Sequence, residues 1–353
     1  MKNLFKSKAF QIINYVLFLA IGIGLLYIAF KNQNFEEIKK AFSEANFYWL
    51  IPVILFNIFG STLRALRWQM LMNSIGHHPK MKNTYNTLML GYFVSIAVPR
   101  LGEITRCITL QKKEKIPFTA SFGTVMAERL VDFFMLACLI GLAFVLTYNE
   151  FGLFFEQKIF TPLGTLFEEK VLNSPKMLLI IALIIVGIIY VLFNNRKKIE
   201  SKQDTIDNYI NELWIGINSI LKLKNYPLFV IYTLLIWVSY FMTSYLWLFS
   251  FKETAGLGIS VGIAIMAIGT IGRSVPIQGG GMGAYHYLVA AGLTLFGVSQ
   301  TIGNAYAIVN HGTSTLFQII VGSIGGLILL LTKSVPQSES VESVSDSGET
   351  GVS

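Results

Sequence analysis

The sequence predicts an all-α polytopic integral membrane protein, and three observations lead to this prediction. Of the 353 residues, 53% are hydrophobic and only 14% are charged, whereas charged residues make up about a quarter of a typical soluble domain. The mean hydropathy is +0.58. Two apolar runs are interrupted by Pro and Gly, at residues 98–103 and 275–283.

The apolar runs predict about six full membrane spans. The first run is longer than a signal-peptide core and no small-residue cleavage site follows it, so we expect it to stay attached. An amphipathic stretch at 204–223 is expected to lie along the membrane surface. The Ser/Glu-rich residues 334–353 predict a disordered cytoplasmic tail. The six expected spans are residues 10–30, 48–63, 118–148, 177–193, 227–251 and 302–331.

The two interrupted runs predict re-entrant helical hairpins. A helix inside the bilayer is broken only where protein or a polar cavity bonds the freed backbone groups. If residues 85–98 crossed the membrane, the basic clusters at 100–115 and 196–198 would lie outside, against the positive-inside bias. A hairpin at 85–110 returns both clusters to the cytoplasmic side. The same reasoning makes 259–296 a hairpin from the opposite face, which gives eight spans if hairpins are counted.

The order of these elements predicts an inverted-topology repeat within one transmembrane domain, residues 1–333. The halves, 48–148 and 227–331, each contain a span, a broken hairpin and a long span. They run in opposite directions, and both termini are expected in the cytoplasm. Such repeats place a binding site near the bilayer midplane.

Charged residues within or beside the first half's apolar segments are candidate site residues. Glu103 and Arg106 are three residues apart, so they can pair or jointly hold a zwitterionic or phosphate headgroup. Glu128 and Asp132 share a helix face, with Arg129 next to them. A charge at membrane depth costs about 2.5–3.5 kcal/mol. These residues therefore form an internal salt bridge, line a substrate or proton pathway, or lie at the membrane edge.

Arg64, Arg67 and Trp68 follow the second span and predict an anchor at the headgroup boundary. The two arginines are also candidate contacts to a lipid headgroup.

The second break predicts an anion site or a purely structural helix break. Backbone N–H groups at a helix start attract anions, and the Gly-rich run ends where a helix should begin, at Ala284. His286 and His311 could titrate near neutral pH or be hydrogen-bonded packing residues. The candidate contacts to a lipid phosphate around the two breaks are Arg100, Arg273, Gly280, Gly281, Gly283 and His286.

Catalytic and cofactor motifs are absent from the sequence. There is no His-Glu-x-x-His, Gly-x-Ser-x-Gly or P-loop pattern, so we expect no cofactor and no metal. The net charge of +8 is explained by topology and does not predict a nucleic-acid partner. Cys107 and Cys138 match no disulfide or metal spacing.

The motifs in their order resemble those of the lysylphosphatidylglycerol synthase transmembrane (flippase-like) family, over about residues 10–332. They are residues 64–68, 99–103 with Arg106, 128–132, and Pro276 with 279–283. The resemblance implies a bacterial inner-membrane protein that translocates lipids, here a stand-alone member without the soluble aminoacyl transferase domain. Members often carry an acidic residue soon after the Gly-rich turn, where this chain has Tyr285 and His286.

Three functions are compatible with these features. The first is flipping of a phospholipid or polyprenyl-linked lipid, whose anionic or zwitterionic headgroup enters between the two turns while its tails stay in the bilayer. The second is a lipid headgroup transferase for aminoacyl or glycosyl groups, with Glu128, Asp132 or Glu103 as general base. The third is an assembly partner of envelope enzymes.

Overall fold

The computed structural model describes residues 35–157 and 214–332, with the isolated positions 23, 27 and 161. The predicted spans at 10–30 and 177–193 and the tail at 334–353 lie outside the described residues. In the described part every regular element is helical, which confirms the all-α prediction.

The helices of the first half include the two helices of a broken hairpin. They are α1 (Phe35–Glu44), a 3-10 turn (Phe47–Trp49), α2 (Leu50–Ser74), α3 (Met81–Ala97), α4 (Leu101–Glu114), α5 (Phe118–Leu146) and α6 (Tyr148–Phe155).

The helices of the second half follow the same order. After a 3-10 turn (Asn218–Lys222) come α7 (Tyr226–Leu248), α8 (Ile259–Ser274), the short turn Gln278–Gly281, α9 (Ala284–Thr294) and α10 (Gln300–Leu331).

Four described helices are long and apolar enough to cross a membrane, and they match the four predicted spans of this part. The first of them differs from the prediction, because α2 continues beyond Leu63 to Ser74. Arg64 is 7% exposed, and Arg67 and Trp68 are 0% exposed. The predicted headgroup anchor at this position is therefore wrong: the arginines lie inside the bundle, where carboxylates of α5 compensate their charge.

The first hairpin consists of α3 and α4, packed together through two glycines. A Cβ at Gly102 would lie only 1.9 Å from the carbonyl oxygen of Gly91. The chain turns at Arg100, whose φ is 66°. At the open end, the Lys80 backbone N–H donates to the carboxylate of Glu114. The hairpin thus returns to the end of the bundle from which it started.

The second hairpin consists of α8 and α9 and is also held by close glycine contacts. A Cβ at Gly272 would lie 2.8 Å from the Cα of Tyr285. Gly279 and Gly280, with φ of 68° and 69°, make the turn between the helices. This left-handed conformation favours glycine, so the Gly-rich run is needed for the reversal.

The two hairpins enter from opposite ends of the bundle. Near the first hairpin's open end, the Ser74 hydroxyl donates to the Ser219 carbonyl oxygen at 2.8 Å. At the other end of α2, the Asn46 backbone N–H donates to the Ser250 carbonyl oxygen at 2.9 Å. Hence α2 and α7 are antiparallel, and the second hairpin, which follows Ser250, starts from the opposite end.

Each hairpin packs against the long helix of the other half. α3 lies on α10, where a Cβ at Gly322 would be 2.6 Å from the carbonyl oxygen of Met89, and α8 lies on α5. Two halves with opposite orientations and equivalent folds would pack reciprocally in this way. The division into halves at 48–148 and 227–331 stays a prediction.

Candidate functional site

A cavity of about 530 Å³ lies between the two halves, where the hairpin turns approach the middle of α2, α7 and α10. Arg100 of the first turn contributes to its wall, and from the second hairpin Arg273 and Ser274 of α8 and Tyr285 of α9 do so. The charged residues that line it are Arg64, Arg100, Glu103, Arg129 and Arg273, all of which the sequence had marked as candidates.

Glu128 of α5 lies in the bundle interior and joins two other helices. Its Oε2 is 2.6 Å from Nη2 of Arg106 on α4. Its Oε1 is 3.6 Å from Nη2 of Arg67 on α2. Glu128 and Arg67 have 0% exposed side chains. Because a buried charge is tolerated only when it is paired, this carboxylate fixes α4 and α2 against α5.

Asp132 lies one helical turn further along the same face of α5, which is the arrangement that the sequence predicted. Its Oδ1 is 2.7 Å from Nη2 of Arg67, and its Oδ2 is 3.3 Å from Nη2 of Arg64. Arg64 also donates from Nη1 to the hydroxyl of Tyr240 on α7 at 2.6 Å. The ion-pair network therefore reaches across to the second half of the chain.

Glu103 and Arg106 do not pair with each other, and the prediction of a joint Glu103–Arg106 site is wrong. Glu103 instead accepts Arg129, with Nε and Oε1 2.7 Å apart, at the cavity wall. Arg106 turns inward, where its guanidinium lies 4.5 Å from the ring centroid of Trp68. Glu103 and Arg106 are thus each bound to residues of other helices, α5 and α2, and not to each other. The spacing of residues within α4 cannot reveal such contacts between helices.

Positive charge predominates at this site. The cavity wall and the ion-pair network together contain six arginines and three carboxylates: Arg64, Arg67, Arg100, Arg106, Arg129 and Arg273 with Glu103, Glu128 and Asp132. Arg100 and Arg273 are exposed to the cavity side, and within the described ranges neither has an ion-pair partner. Such an excess attracts an anion.

Arg273 is held in place by an aromatic ring. Its guanidinium lies 4.7 Å from the ring centroid of Tyr285, and both residues line the cavity. A planar guanidinium on a ring face keeps its N–H groups directed sideways. Arg273 is thus positioned to donate hydrogen bonds to a group inside the cavity.

The Gly-rich turn itself does not line the cavity. Gly280, Gly281, Gly283 and His286 are all outside the set of lining residues. Nδ1 of His286 accepts from the Gly283 backbone N–H at 3.4 Å, so a donor at the start of α9 is used within the turn. His311 contacts the Gly280 carbonyl oxygen from Nε2 at 3.2 Å. A phosphate contact at these four positions stays a prediction.

Neutral polar residues form the rest of the polar wall, and sequence reasoning missed them. They include Asn57, Ser61, Thr243, Ser244, Thr270 and Asn310. Asn310 is buried and donates to the hydroxyls of Tyr285 at 2.8 Å and Ser244 at 3.2 Å. Single hydroxyl and amide residues are common in membrane helices. Only the folded structure, in which these side chains all face the cavity, distinguishes them from other such residues.

In the described ranges, no cluster of three or more His, Cys, Asp or Glu residues is arranged to hold a metal ion.

The chain resembles known proteins both by a family model and by a single relative. The model of a family described as "Lysylphosphatidylglycerol synthase TM region" matches residues 15–322. A UPF0104 membrane protein from Methanocaldococcus jannaschii is 28% identical over 130 residues, which are 36% of this chain and 36% of that relative. No solved structure matches the chain.

Proposed function

This chain belongs to the lysylphosphatidylglycerol synthase TM family, and from this premise and the cavity we propose that it translocates a polar-headgroup lipid across a bilayer. The protein is a multi-pass membrane protein. The lipid is a phospholipid or a polyprenyl-linked lipid, and the membrane is the bacterial inner membrane with both termini in the cytoplasm.

The observation that carries the proposal is a pair of arginines at the cavity wall that have no ion-pair partner among the residues that the structure describes. Arg100 belongs to the first hairpin turn, and Arg273 lies in the last turn of the first helix of the second hairpin. A lipid phosphate between them receives charge-assisted hydrogen bonds, which are among the stronger polar contacts in proteins. The chain therefore offers the headgroup a site that both halves build together.

The size of the cavity suits a headgroup whose tails remain outside. Small-molecule sites have volumes of about 300–1,000 Å³, and this one has about 530 Å³. Next to the first turn, α4 exposes Leu101, Ile104 and Ile108 along one face. Acyl or prenyl tails can lie against this apolar face while the headgroup is inside.

The transferase alternative receives less support, because its candidate bases are already engaged. Glu128 is buried and paired with Arg106 and Arg67. Asp132 accepts from Arg67 and Arg64. A general base must come within hydrogen-bond reach of the substrate proton, and neither Glu128 nor Asp132 lines the cavity. Glu103, the third candidate base, does line the cavity but is paired with Arg129 at 2.7 Å.

Reconstitution into vesicles tests the proposal. Purified protein is placed in liposomes with a lipid that carries a fluorophore on one tail, and a membrane-impermeant reductant reports the lipid left in each leaflet. Arg100→Gln and Arg273→Gln should lower the initial translocation rate at least about tenfold, since a hydrogen bond to a charged group contributes about 1.5–3 kcal/mol.

Lys252→Gln is the matched control, because Lys252 is exposed and outside the cavity lining. Its rate should equal that of the wild type. Equal rates for wild type, both arginine variants and protein-free vesicles would contradict translocation. Mass spectrometry of the same lipids, incubated with activated aminoacyl and sugar donors, separates translocation from headgroup transfer.

A further inference from the structure

The two hairpins pack on different parts of the long helix α5. α4 lies on the earlier part, where Cys107 shares an apolar cluster with Val125. α8 lies on the later part, where Met135 packs against the cluster that contains Met266. Residues 129–134 of α5 therefore lie between the two hairpins, and we call this stretch the α5 gap.

Arg129 is a partly exposed charge within the α5 gap. It belongs to the middle third of α5, its side chain is 39% exposed, and it lines the cavity. Leu130 and Phe133 of the same stretch are 57% and 73% exposed, as lipid-facing residues are. An arginine that faces hydrocarbon at this depth is costly. A polar opening beside Arg129, from the cavity to the lipid, removes this cost.

The long helix of the second half has an equivalent stretch without charge. On α10, Asn310 donates to the α9 residue Tyr285 at 2.8 Å, and Gly322 lies against α3. Residues 312–321 between them, the α10 gap, contain no charged residue. Phe317 is one of the residues with which this stretch lines the cavity. The two gaps thus differ in charge although they occupy equivalent places in the two halves.

The ion pair in the α5 gap is weaker than the one beside it. Glu103 and Arg129 are 2.7 Å apart, with side chains 27% and 39% exposed, and partly exposed pairs contribute little to stability. One turn further along α4, Arg106 is paired with Glu128, and both side chains are buried. The loss of a buried partner is strongly destabilising. α4 is therefore held firmly at Arg106, whereas Glu103 can exchange its partner at small cost.

We propose that the α5 gap is a lateral portal, through which the phosphate of a lipid headgroup passes between the bilayer and the cavity. Arg129 binds the phosphate in the portal, and Glu103 pairs with this arginine when no lipid is there. The α10 gap does not admit headgroups. This inference adds a route to the proposed translocation and rests on it.

A fluorescence experiment locates a headgroup at this depth without measuring transport. In full-length protein with Cys107 and Cys138 replaced by alanine, Phe133→Cys or Leu316→Cys carries a bimane label, and the protein is placed in vesicles. Leu316 is the matched position, because it lies in the middle of α10 and is 58% exposed. The vesicles contain a phospholipid with a nitroxide either on its headgroup or halfway along one tail.

The tail nitroxide should quench both labels alike, which shows that both positions face lipid. The headgroup nitroxide should quench the label at position 133 at least about twofold more than the label at position 316, since headgroups otherwise stay near the membrane surface. Equal quenching by the headgroup nitroxide, or stronger quenching at 316, would overturn the portal. Leu130→Cys gives a second reporter in the α5 gap if the label at position 133 disturbs the fold.

Two variants test the roles of the ion pair. Arg129→Gln should remove the excess headgroup quenching at position 133. Glu103→Gln should lower the mole fraction of nitroxide lipid at half-maximal excess by about twofold, because the arginine no longer has a competing partner. Lys252→Gln is the control and should change neither value. An unchanged excess in both cavity variants would overturn the assignment of this pair to the portal.

The failure of the portal and the failure of the proposed function give different results. Excess headgroup quenching at position 133 in a protein that does not move labelled lipid between leaflets means that the portal stands and translocation fails. Translocation without this excess means that the lipid takes another route.

Discussion

Arg106 and Glu128 face each other between α4 and α5, with Nη2 of the arginine 2.6 Å from Oε2 of the carboxylate. Both side chains are buried, and neither lines the cavity. This ion pair holds α4, the second helix of the first hairpin, against the long helix α5. Because Glu103 of the cavity wall also belongs to α4, the pair helps to fix the position of the wall.

Glu128→Gln should lower the stability of the protein by about 3–5 kcal/mol, because it leaves the charge of Arg106 buried without a carboxylate. The measurement is thermal unfolding of the purified protein in detergent. The double variant with Arg106→Gln should be less destabilised than the sum of the two single variants. Glu44→Gln, which removes an exposed pair with Lys40, serves as control and should change stability by less than about 0.5 kcal/mol. Additive effects in the double variant would contradict a direct interaction.

Gly102→Ala should open the first hairpin, because the new Cβ would overlap the Gly91 carbonyl oxygen. Overpacking typically costs about 1–3 kcal/mol, and an overlap with backbone should reach the upper part of this range. Gly312→Ala is the control, since a Cβ there meets no atom within 4 Å, and alanine favours a helix by about 1 kcal/mol. Unfolding temperatures report both changes. A normal unfolding temperature for Gly102→Ala would show that the two helices are further apart than described.

Cysteine labelling checks that the first hairpin returns to its own side. In a variant with Cys107 and Cys138 replaced by alanine, Lys80→Cys and Lys112→Cys should react from the same face of the membrane. Lys252→Cys should react from the opposite face, because α7 ends at the other end of the bundle. An impermeant maleimide, applied before and after permeabilisation, distinguishes the faces. Opposite accessibility of positions 80 and 112 would mean a full crossing.

Arg273→Lys should keep part of the translocation activity that Arg273→Gln removes. Lysine retains the charge but not the planar group that lies on the Tyr285 ring. Initial rates in labelled vesicles should therefore fall in the order wild type, lysine variant, glutamine variant. Lys252→Arg controls for the exchange itself and should be neutral. If the lysine and glutamine variants were equally active, charge at this position would play no part.

The hairpins could be predicted from the sequence because their signal is local. Pro99 and the run of glycines after Pro276 break helices for reasons contained in a few residues. The side that each hairpin enters followed from the distribution of Lys and Arg, which also needs no knowledge of tertiary contacts. The structure places both reversals in these segments.

The role of Arg67 could not be predicted in this way. An arginine beside Trp68 at the end of an apolar run is typical of a membrane surface, and only its carboxylate partner shows otherwise. That partner, Asp132, lies 65 residues further along the chain. Periodicity identified Glu128 and Asp132 as one helix face but gave no indication of which helix they would meet. The neutral polar residues of the cavity wall could not be predicted for the same reason, because residues such as Thr270 and Thr243 line one cavity only in the folded bundle.

The packing of α3 on α10 has a consequence for the biosynthesis of the protein. The ribosome makes the first hairpin well before it makes α10. Until α10 is made, Met89 and Asn86 of α3 lack their contacts with the glycines of α10. The first half therefore cannot reach its final arrangement during its own insertion. The contacts of Gly322 with Met89 and of Gly325 with Asn86 can form only after α10 has been made.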